Sequence, residues 1–67
     1  MFTLYAFAFA AIPFCDASVQ RDKCIMWMAN TMAIDQVVNP GHDIEFYLEN
    51  AAEQLPEELS YADEDIP

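Results

Sequence analysis

Apolar positions fall into three blocks separated by breaks at proline. In residues 2–12, Phe2, Tyr5, Phe9 and Ile12 recur at the three-four spacing of one helix face. Thr3, Tyr5, Phe7 and Phe9 also satisfy the alternation of a strand. Ala6, Ala8, Ala10 and Ala11 tip the balance toward helix, because alanine loses least on entering one. Pro13 is expected to close this segment.

The second block spans residues 16–38, with Asp16 placed to cap its first turn. Asn39-Pro40-Gly41 should end it, since a residue before proline avoids the helical region and glycine permits the reversal. The span suits a helix of about six turns. Its middle, residues 24–29, is apolar almost all the way round. Such a helix must be covered by the flanking segments, by a second copy or by a partner. In residues 42–55, Ile44, Tyr47, Leu48, Ala51 and Leu55 share one helix face. Glu45, Glu49 and Glu53 form a row at spacing four on another. Ile44, Phe46 and Leu48 also alternate as a strand would, but residues 48–55 favour helix by propensity. Pro56 stops the segment or opens a short turn. These patterns predict an all-α fold: a single small domain over residues 1–67, of about three helices, with an acidic tail over 56–67. The alternative is α+β, with an N-terminal strand, one long helix and a second strand or helix.

Size changes this picture. A 67-residue chain buries only ~60% of its unfolded surface, so it is marginally stable without a crosslink, a metal or a partner. The two cysteines, Cys15 and Cys24, form no CxxC and no Cys/His cluster. On one straight helix nine residues span ~13 Å, farther than a disulfide reaches. Reduced, buried thiols in a cytoplasmic protein are therefore the expectation. The apolar start, residues 1–15, lacks the basic flank of a signal peptide and the length of a membrane-spanning helix.

Charge supplies the functional signal. The net charge is −10, from twelve Asp/Glu against Arg21 and Lys23. Phosphates would repel such a chain, so direct nucleic-acid binding is not expected. Basic protein surfaces would attract it. From Asp43 to Asp65 there are nine carboxylates and no Lys or Arg. Uncompensated i,i+4 repulsion costs a helix a few tenths of a kcal/mol per pair, which suggests a use for the field. The candidate partner-binding residues are Glu45, Phe46, Glu49, Glu53, Glu57, Glu58, Asp63, Glu64 and Asp65. Among them Phe46 is either an exposed anchor ringed by acids or a core residue.

Catalysis and metal binding find no motif. His42, the single histidine, adjoins Asp43, but adjacent side chains diverge and no third group completes a nucleophile-base arrangement. Ser18, Ser60 and the cysteines lack context, and no glycine-turned loop of alternating carboxylates is present. No enzyme activity, cofactor or metal is expected. In size and charge alone the chain resembles small acidic inhibitors, phage counter-defence proteins among them, that occupy a nucleic-acid-binding surface. That resemblance implies a basic partner, a nucleic-acid-binding enzyme in a host cytoplasm. The alternatives are a structural or assembly subunit, with homo-oligomerisation through the apolar residues of the first two segments, and a small membrane-associated protein.

Overall fold

The structure, a computed structural model, describes residues 2–59. Three helices follow one another: α1 (Leu4–Cys15), α2 (Arg21–Val38) and α3 (Ile44–Glu53), then a 3₁₀ turn (Glu57–Leu59). The described residues contain no strand, so the fold is all-α. α2 is the central element, with α1 and α3 packed against it.

Each helix start has its own cause. Thr3, in extended backbone, accepts the Ala6 N–H through its hydroxyl at 3.2 Å and caps α1. Asp43 does the same for α3, its carboxylate accepting the Phe46 N–H at 2.9 Å. α2 has no side-chain cap; Gln20 precedes it with a backbone shaped by the turn before it. There the Ser18 hydroxyl accepts the Gln20 N–H at 3.2 Å and donates to the Leu59 carbonyl at 2.9 Å. Asn39 ends α2, and Gly41 takes the left-handed φ of +90° that the reversal into α3 requires.

Two boundaries correct the sequence reading. Pro13 does not close α1 but lies inside its last turn. It forgoes one hydrogen bond, to the Phe9 carbonyl, on the side of the helix where Phe9 and Pro13 are both exposed. Asp16 does not cap the second helix; it ends the first, in helical backbone. A turn at residues 16–20 therefore divides what reads as one helical run from its apolar predecessor.

That turn folds α2 back along α1 and brings Cys15 and Cys24 together. They form a disulfide with Cα atoms 5.7 Å apart, so the expectation of reduced thiols is overturned. The straight-helix argument failed because Cys15 is the last residue of one helix and Cys24 belongs to the first turn of the next.

Around the bridge the core is built from Phe7, Ala11, Cys15, Met28, Met32 and Tyr47, with Cys24, Ala29 and Ala51 filling between them. Phe7 and Tyr47 meet edge to face, ring centres 5.8 Å apart. The all-round apolar middle of α2 is covered mainly from within the chain: Cys24, Met28 and Ala29 are buried and Met26 is left outside. Two polar devices fix the layers. Gln36 of α2, 8% exposed, accepts the Phe2 N–H and donates to the Phe2 carbonyl, at 2.8 and 3.1 Å. Asp35 accepts from Asn39 at 2.6 Å and from Asn50 of α3 at 2.9 Å.

Candidate functional site

The acidic row takes its position from the register of α3. Tyr47 and Ala51 are buried against the core, and Ile44, Leu48 and Leu55 pack beside them. Glu45, Glu49 and Glu53 are thereby turned to solvent, all three exposed, at ~6 Å per step along the axis. No ion pair among the described residues involves any of them; the one present joins Arg21 to Asp16 at 3.6 Å, with both side chains well exposed. The row stops at Glu53, because the helix ends there. Glu57 and Glu58 are exposed on the 3₁₀ turn, which is anchored separately. Leu59 is buried, and the Glu58 carbonyl accepts from the Gln20 side chain at 3.1 Å. Asp63, Glu64 and Asp65 lie outside the described residues.

Phe46 sits between the two readings the sequence allowed. It is half-buried and packed on the core, with the His42 imidazole stacked over it, ring centres 3.9 Å apart and planes 14° apart. Its ring edge meets Tyr47 at 5.7 Å. His42 itself lies in the turn before the Asp43 cap, and its backbone N–H donates to the Tyr47 hydroxyl at 3.3 Å. Phe46 therefore braces the first turn of α3. Phe46→Ala should cost about 2 kcal/mol, roughly half of a fully buried aromatic truncation, and lower Tm by about 10 °C. A thermal melt unchanged within a degree or two would show the ring to be a free surface group.

A second surface was not legible as such. Of the stripe with the clearest helical period, Tyr5, Phe9 and Ile12 of α1 face outward, Tyr5 82% and Phe9 71% exposed, whereas Phe2, before the helix, packs its ring on Phe7 and Tyr47 at 5.7 and 6.3 Å. The buried face is Phe7, Ala11 and Cys15, fixed by the disulfide and by the Phe7–Tyr47 contact. Beside the stripe, Leu4, Tyr5 and Ala8 of α1 and Ile25, Met26 and Ala29 of α2 line an apolar groove of about 390 Å³. The signal that could have separated the faces was the one Cys15 carries. Cysteine is among the residue types most often buried, and Ala11 and Phe7 lie one and two turns before Cys15 on the same side.

Among the described residues no three His, Cys, Asp or Glu side chains converge on a point that could hold a metal ion. No helix of the described residues is long and apolar enough to cross a membrane. No protein-family model matches this chain, and no curated protein or solved structure matches it.

Proposed function

We propose that this is a non-enzymatic binding protein whose acidic α3 face docks on a basic protein surface. The observation that supports it is the exposed row Glu45, Glu49 and Glu53, held outward by a buried opposite face and lacking any cationic partner among the described residues. Both cations of the chain lie at the start of α2, and none follows. A field of this kind gives a basic partner on-rate and orientation more than raw affinity. A nucleic-acid-binding enzyme is the partner class whose groove is built for such charge. The row would then stand in for part of a phosphate backbone, and the protein would act as an inhibitor that occupies such a groove.

The Cys15–Cys24 bridge bears on where this happens. Disulfides persist in oxidising compartments and are rare in the cytosol. The bridge therefore favours a secreted or otherwise oxidising setting over the cytoplasm, and with it a basic partner met outside the cytosol.

Charge reversal tests the reading. Exposed pairs contribute only ~0–1 kcal/mol each, so a single Glu→Lys change should weaken capture of basic proteins by no more than about fivefold. Glu45→Lys, Glu49→Lys and Glu53→Lys together should weaken it ~10–100-fold, since about 1.4 kcal/mol is tenfold. All three positions are exposed, so the helical circular dichroism should be retained. Capture from lysate at low salt that is equal for the parent and the triple variant would leave the row a solvated face and nothing more.

A further inference from the structure

We propose that two copies of this chain pair through the uncharged face formed by α1 and the adjoining groove on α2. α1 carries no acidic or basic residue along its length, and the groove residues contributed by α2 are uncharged as well. Six of the nine described carboxylates lie instead on α3, its cap and the 3₁₀ turn: Asp43, Glu45, Glu49, Glu53, Glu57 and Glu58. Charge is thus segregated. A basic partner is drawn to the acidic side, and the neutral side is a surface on which a second −10 chain can approach without facing that row of carboxylates.

Area points the same way. With aromatic side chains of ~150–250 Å² each, Tyr5 and Phe9 at 82% and 71% exposure present on the order of 300 Å² between them. Leu4, Ile12 and Met26, at 54%, 41% and 66% exposure, extend this to roughly 600 Å², the top of the ~300–600 Å² range for the largest patch on a monomer. The result approaches the ~800 Å² per partner of a standard interface. A two-fold pairing uses the same patch on both copies, so α1 of one chain can seat Tyr5 and Phe9 against the groove of the other. A lipid surface fits less well. The chain's charge opposes anionic headgroups, and α1 has no basic residue to anchor it.

Sedimentation of the purified, oxidised chain over a range of concentrations tests this without any partner, so its outcome is separate from that of the α3 reading. A monomer–dimer equilibrium is expected, tightening as salt rises, because screening removes the mutual repulsion of the two copies. Partner capture by the acidic face should weaken over the same range. Tyr5→Glu with Phe9→Glu should raise the dimer dissociation constant at least tenfold while keeping the helical signal. If that variant loses helicity, Met26→Glu on α2 gives the same readout from the other wall of the groove. A chain that stays monomeric at millimolar concentration overturns the proposal, as does a dimer indifferent to both variants. Binding to phosphatidylcholine vesicles by a monomeric chain would also overturn it, and would assign the face to lipid.

Discussion

Tyr47→Ala should leave the protein largely unfolded at room temperature. Tyr47 is fully buried, and its ring is met by Phe2, Phe7, His42 and Phe46 at centre distances of 6.3, 5.8, 6.4 and 5.7 Å. Its hydroxyl donates to the Asn39 carbonyl at 2.7 Å and accepts the His42 N–H at 3.3 Å. One side chain thus joins the start of the chain, α1, the end of α2 and the first turn of α3. Truncating a buried aromatic to alanine costs ~3–5 kcal/mol, and stranding its two polar partners places the change at the upper end. A domain of this length holds ~3–10 kcal/mol in all, so the loss is comparable to the whole. Tyr47→Phe separates packing from hydrogen bonding. It keeps the ring contacts and removes only the hydroxyl, for about 1–2 kcal/mol and a Tm lower by ~5–15 °C. Circular dichroism melts of the two variants check both figures. An alanine variant melting within a few degrees of the parent would mean that the aromatic cluster does not organise the fold.

The three helices were readable because each carries a local signal. Alanines outweigh aromatics in α1, Asn39-Pro40-Gly41 punctuates the end of α2, and α3 separates Tyr47 and Ala51 from the glutamates by period alone. The exposed placement of Glu45, Glu49 and Glu53 follows from that same period. The orientation of α1 was not readable in this way. Its strongest period belongs to the outward face, while the inward face is written in small residues and a cysteine, which weigh little in a hydrophobic pattern. The turn at residues 16–20 was hidden for a different reason. It contains no proline or glycine and is held by Ser18 and Gln20 bonding to a segment some forty residues onward. Contacts at that separation leave no local trace. Missing the turn in turn hid the disulfide, since Cys15 and Cys24 can meet only if the chain reverses between them. Phe46 was undecided for a related cause: its partner His42 lies outside the helix and stacks on it from the preceding turn.

Reduction of the Cys15–Cys24 bridge should lower stability by about 2.5 kcal/mol, the loop-closure entropy expected for a crosslink across a loop of roughly ten residues. At ~4–8 °C per kcal/mol for a domain of this size, Tm should fall by about 10–20 °C. The two sulfurs are buried, at 0% and 1% residue exposure, so reductant should act slowly on the folded chain and quickly in mild denaturant. The turn the bridge closes is also tied to the 3₁₀ turn through Ser18 and Gln20. Loss of the bridge should therefore loosen the Glu57–Leu59 segment before α3, which hangs on Tyr47 and Asp35 instead. Hydrogen exchange on the Cys15→Ala, Cys24→Ala double variant would show this order, with the Leu59 amide losing protection first. The same variant discriminates between compartments. If its Tm stays within a few degrees of the parent, the fold does not depend on the crosslink, and the argument for an oxidising setting loses its energetic basis. If it melts near physiological temperature, the fold depends on a setting in which the bridge is kept, and the basic partner proposed above is to be sought there.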